Sequence, residues 1–204
     1  MKKIQALLLL AGMTLLSTSP LLAQSVKLAS GTLGFLKGQT TLNVEYNYEG
    51  MTVGKITEDE YIKKNVTEHN AKEAGKGDKW LETWKANRAS RFQPKFEELL
   101  NKQFQKSGLS AGKNPDAKYT LVLKTLNLEP GFNVAVMRMP AMISTQAELY
   151  ETKDRTKQLA LITVLKAPGR DAMGYDFDVG YRLQEGYAKT GKELGALIVK
   201  KGLK

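Results

Sequence analysis

The sequence predicts an α+β domain in which a mostly antiparallel sheet of about four or five strands carries helices mainly on one face. Three patterns lead there. Leu42, Val44, Tyr46 and Tyr48 recur at every second residue, Trp80, Trp84, Phe92, Phe96, Leu100 and Phe104 recur at multiples of four, and several alternating runs succeed one another past Tyr119 before the last helix-like segment. Period two puts side chains alternately on the two sides of a strand, whereas spacings near 3.6 gather them on one side of a helix.

Ahead of these elements stands a leader. Met1, Lys2 and Lys3 form a basic start, Ile4 to Leu16 is apolar apart from Gln5, Gly12 and Thr14, and Ser17 to Pro20 break the run before Leu21-Leu22-Ala23. This is the build of a secretory signal peptide over residues 1–23, with cleavage after Ala23, although Leu21 is larger than the small residue usual at that position. A run of about 13 residues reaches about 20 Å as a helix, short of the hydrocarbon core of a bilayer. The mature chain is therefore expected to be periplasmic or secreted and without a transmembrane span. Residues 24–40 read as a flexible lead-in, and residues 41–204 as a single domain.

Within that domain, residues 41–48 read as a half-buried strand. Glu49 to Gly54 turn the chain, and Thr57 with Glu60 forms a capping box that opens a helix from about Glu58 to Glu73. Gly75 and Gly77 interrupt it, and the aromatic stripe from Trp80 to Phe104 makes a second helix, which Pro94 kinks or restarts. Strands run from Tyr119, around a corner at Glu129-Pro130-Gly131-Phe132, and through Ile143–Glu151 and Leu159–Leu165 as an antiparallel meander. A last helix runs from about Val179 to Lys200, with Asp178 as its cap. Gly191 and Gly195 lie one turn apart in it and predict close approach of its backbone to the sheet.

The chemistry available is sparse. The chain has no cysteine and one histidine, His69, so disulfides, thiolate nucleophiles, a histidine-cysteine zinc site and an acylated lipoprotein cysteine are all excluded. No Gly-x-Ser-x-Gly elbow, P-loop or dinucleotide fingerprint occurs. Asp176 and Asp178 flank Phe177 but lack the further oxygens of a cation loop, and Asp178 is accounted for as a helix cap. We expect no cofactor, no metal and no catalysis.

The formal net charge is +10, and loss of Lys2 and Lys3 with the leader takes it to +8. Lys85, Arg88, Arg91 and Lys95 form a basic patch near Pro94, an anion-binding candidate. Export argues against nucleic acid and for an anionic glycan or lipid headgroup as the ligand. The other candidate is a partner surface at the corner: Phe132, Val134, Met137, Arg138, Met139 and Met142 make an apolar, Met-rich segment suited to irregular contacts.

Three segments, Ala117-Lys118-Tyr119-Thr120-Leu121, Ala147-Glu148-Leu149-Tyr150-Glu151 and Gly180-Tyr181-Arg182-Leu183, resemble those of exported bacterial envelope proteins similar in outline to the amino-terminal domain of TolB and the globular domain of the curli secretion lipoprotein. The resemblance spans residues 117–204 and implies a compact α/β domain in envelope assembly or transport, without catalysis. The expectation is thus an exported, non-enzymatic accessory protein that contacts an envelope protein partner; the alternative is a binder of an anionic glycan or lipid headgroup through its basic helices.

Overall fold

The computed structural model describes residues 24–134, 137–169 and 178–204, with the backbone alone for residues 133–134 and 137–138. The leader, Val136, Asp176 and Phe177 lie outside the described residues.

The sheet overturns the expected fold class. It has eight strands and is mixed, with the order β1-β10-β9-β6-β2-β5 and the short pair β3 and β4 attached beside β6. Here β1 is Ser25–Gly31, β2 Thr41–Asn47, β3 Thr52–Val53, β4 Ile56–Thr57, β5 Ser110–Gly112, β6 Tyr119–Glu129, β9 Ala141–Glu151 and β10 Ala160–Gly169, while β7 (Phe132–Val134) and β8 (Met137–Met139) form a separate small ribbon. The meander β6-β9-β10 is antiparallel as expected. The mixed character comes from β2, which runs parallel to both β6 and β5, and from β3, which runs parallel to β6. The physical reason is the long helical connection between β2 and β6, a crossover that returns the chain in its starting direction, which a tight hairpin cannot do.

Residues 25–31, within the expected lead-in, are the edge strand β1, paired with β10 from Ser25↔Leu165 to Gly31↔Ala160. Leu33 and Leu36 just after it are fully buried.

Helix α1 (Glu58–Lys72) carries the Thr57–Glu60 capping box, and α2 (Lys76–Asn87) folds back on it. A π-helical turn over Arg88–Phe92 joins α2 to α3 (Gln93–Phe104), and α4 is Val179–Ile198. In that turn the Gln93 N–H donates to Arg88 O, five residues back. Pro94, which has no N–H to give, sits just past it, so the chain takes up an extra residue instead of a sharp kink.

The core lies between one face of the sheet and the α3–α4 pair. Leu121, Leu123, Ile143, Leu149, Ile162 and Val164 meet Phe96, Leu100, Leu183, Leu194 and Ile198 there. Gly191 and Gly195 permit close approach, but to α3 rather than to the sheet: a Cβ on Gly191 would lie 2.2 Å from Phe96 O, and one on Gly195 2.8 Å from Gln103 Cβ. Tyr187 of α4 is wholly buried, stacks on Phe92 at 4.9 Å, and shares a 2.8 Å hydrogen bond with Thr125 of β6. Burial holds its phenol well above the usual range. Burial also raises Tyr46, whose hydroxyl donates to Glu97 at 2.8 Å, and Tyr48 beside it.

Candidate binding site

Two places in the fold gather candidate side chains: the corner after β6, and the junction between the α1–α2 hairpin and the start of α4.

At the corner, β6 and β10 both lose register on either side of Ser144, between Thr125 and Asn127 and between Val164 and Ala167. Lys166 adopts a φ of 55° in the second irregularity, and its N–H donates to Ser144 Oγ at 3.2 Å. Such bulges bend a sheet and re-aim the strand beyond them. Pro130-Gly131 then turns into β7, with Gly131 at φ 62° and so close to Met139 O that a Cβ would lie 2.2 Å from it. The side chain of Arg182, 7% exposed, reaches from α4 and donates through Nε to Pro130 O at 3.1 Å and through Nη2 to Gly131 O at 3.5 Å. A buried guanidinium thus ties the hairpin's root to the last helix. The hairpin pairs Phe132↔Met139, Asn133↔Arg138 and Val134↔Met137. Of the expected surface, Phe132 is 40% exposed and Met139 and Met142 are half-buried; the side chains of Val134, Met137 and Arg138 lie outside the described residues.

The four basic residues are not brought together as one free patch. Lys85 is exposed. Arg88 pairs with Glu58 and lies 4.3 Å over the Tyr48 ring, Arg91 pairs with Asp178 at 3.2 Å and lies 4.2 Å over Tyr181, and Lys95 pairs with Glu98 at 2.8 Å. Arg88 lines an open cleft of about 570 Å³ with Tyr48, Met51 and the acids Glu49, Glu58 and Asp59. Lys95 lines another of about 470 Å³ between α3 and α4, with Lys189, Lys192, Glu98 and Glu185. Each guanidinium therefore faces its own carboxylate and its own ring.

Sequence reasoning missed the second site. Tyr61 of α1 packs against Trp80 and Trp84 of α2 with ring centroids 5.9 and 5.1 Å away, the two indoles are 5.6 Å apart, and His69 stacks on Trp80 at 6.0 Å. His69 is thus part of an aromatic row. Trp84 is 5% exposed, Trp80 half-buried. This row borders a cleft of about 200 Å³ whose opposite wall is the start of α4, Asp178 to Gly180. The four-residue spacing of the tryptophans was visible; the cleft depends on α4 arriving from far along the chain, which no local pattern encodes. Among the described residues, no group of three or more His, Cys, Asp or Glu side chains is placed to hold a metal ion, and no helix is long and apolar enough to cross a membrane.

No family model matches the chain, and no curated protein matches it. Among solved structures, the PelC dodecamer from Paraburkholderia phytofirmans is similar at 12% identity with a TM-score of 0.40, covering 87% of this chain and 96% of that one. A DUF330 protein from Xanthomonas campestris is similar at 12% identity with a TM-score of 0.36, covering 79% of this chain and 84% of that one. At these values they assign neither family nor function. Neither TolB nor the curli secretion lipoprotein is among these neighbours.

Proposed function

We propose that this is an exported, non-enzymatic binding protein of the bacterial cell envelope, which engages a protein partner through the β7–β8 corner. Export rests on the leader of residues 1–23. The observation that supports the corner is Phe132: a large aromatic 40% exposed at the start of a two-stranded ribbon whose root is fixed by Arg182. An aromatic side chain held on a rigid base loses little freedom on contact, which is why such residues serve as anchors in protein interfaces. Met139 opposite it in the ribbon supplies an adaptable neighbour. Contact through the basic helices has less support, since Arg88, Arg91 and Lys95 each already face a carboxylate.

A photo-crosslinking residue at position 132, in intact cells that export the protein, is expected to give a discrete adduct with another exported protein. The same probe at Lys153, in the exposed turn at the far end of β9, should not give it, and Met139→Asp should abolish it. Equal capture from both positions, or an adduct indifferent to Met139→Asp, overturns the assignment of the corner.

A further inference from the structure

The cleft between the α1–α2 hairpin and α4 has a property its aromatic wall alone would not give it. Asn87 lines it, is 6% exposed, and its carboxamide has no hydrogen-bond partner among the described residues. With no such partner, the carboxamide opens onto the cleft, where a ligand can hydrogen-bond to it. Asn87 ends α2 at the π-helical turn, with its amide nitrogen 2.7 Å from where a Cβ on Gly180 would stand; only a glycine at that point of α4 leaves the amide its place.

Two other polar side chains of the lining, Asp178 and Thr83, are already engaged. Asp178 accepts through Oδ1 from the N–H groups of Gly180 and Tyr181 at 2.7 and 3.3 Å, and through Oδ2 from Arg91 at 3.2 Å. Thr83 donates its hydroxyl proton to Lys79 O at 3.0 Å. The helix terminus is therefore capped and the carboxylate neutralised, which leaves no uncompensated charge for either an anion or a cation. What the cleft offers is an uncharged combination: the aromatic wall of Tyr61, Trp80 and Trp84 on one side, and on the other a carboxamide able both to donate and to accept. A pyranose ring has that character, with an apolar C–H face beside hydroxyls that donate and accept, and about 200 Å³ matches one such ring and little more.

We infer that this cleft binds a single uncharged glycosyl unit of a glycan, with the ring against the Tyr61–Trp80–Trp84 wall and a hydroxyl on the Asn87 carboxamide. The site is separate from the corner, so one domain would hold a glycan at the hairpin junction and a protein at Phe132.

The test uses the mature chain on an array of uncharged oligosaccharides of gluco, galacto, manno and N-acetylhexosamine configuration, with affinities for any hit measured by tryptophan fluorescence. Binding to at least one glycan is expected, weakened about tenfold by Trp80→Ala. Asn87→Leu is the decisive variant. It removes the carboxamide at similar volume, so it should change the thermal midpoint little while lowering the same affinity about tenfold or more. Phe132→Asp should leave glycan affinity unchanged. Binding to no glycan on the array, or binding that Asn87→Leu leaves intact, overturns the inference, as does capture of charged glycans alone.

Discussion

The indole Nε1–H of Trp84 donates to Oε1 of Glu58 at 2.7 Å, and the guanidinium of Arg88 reaches the same oxygen. One carboxylate in the first turn of α1 thereby holds one side chain of α2 and one of the π-helical turn after it, and Glu58 is itself only 18% exposed. Removing it leaves a buried N–H and a largely covered cation without their acceptor. Glu58→Ala is expected to lower unfolding free energy by about 2–3 kcal/mol, and Glu58→Gln, which keeps an acceptor for the indole, by about half as much. Urea unfolding followed by tryptophan fluorescence measures both, and equal losses would show that the indole bond contributes nothing.

Burial raises the phenols of Tyr46, Tyr48 and Tyr187 above their usual value near 10. The folded chain therefore keeps protons that the unfolded chain sheds once pH passes about 10. The contribution of these phenols is complete below that pH and is lost as pH rises above it, by as much as about 1.4 kcal/mol per pH unit for each phenol. Absorbance at the phenolate band should rise together with loss of near-ultraviolet circular dichroism, and a Tyr46→Phe, Tyr187→Phe double variant should show a shallower alkaline decline.

At Gly191 the backbone of α4 passes so near Phe96 that a methyl group has no room. Gly191→Ala should cost about 1–3 kcal/mol through forced separation of the two helices. Gly34→Ala, at a position with open space around the new carbon, should change the thermal midpoint little. Similar midpoints for the two variants would contradict the close packing described.

Amino-terminal sequencing of protein recovered from an exporting host is expected to begin at Gln24. A start at Met1 would remove the basis for export, and a start one or two residues away would move the cleavage point that Leu21 makes ambiguous.

Local chemistry carried most of what was legible. The Thr57–Glu60 capping box, the Asp178 cap and the turn at Pro130-Gly131 are each specified within a few residues, and the structure has all three. The parallel partner of β2 was not legible in the same way, because pairing depends on where a long crossover returns; two helices between a strand and its successor were the clue. Strand β1 escaped notice because an edge strand buries little: Val26 and Leu28 are its half-buried residues and the rest are exposed. The basic cluster was misleading for a related reason. The carboxylates that answer Arg88 and Arg91 lie 30 and 87 residues away in the chain, so a reading of neighbouring residues counts the cations and misses their partners. Asn87 belongs to no sequence motif, and the cleft it lines is completed by the start of α4.

The π-helical turn at Arg88–Phe92 sets the aim of everything before it. A regular helix advances about 100° per residue, so a stripe repeated every fourth residue drifts by about 40° at each step. The surplus residue offsets that drift, and Trp84 and Phe96 both face the core across it. Deleting one residue from the turn would rewind the helix and swing the α1–α2 arm about its axis by about 100°. The direction in which that arm points, and with it the alignment of its tryptophans against α4, is encoded as chain length: an insertion or deletion there acts as a dial, where a substitution acts only as a dent.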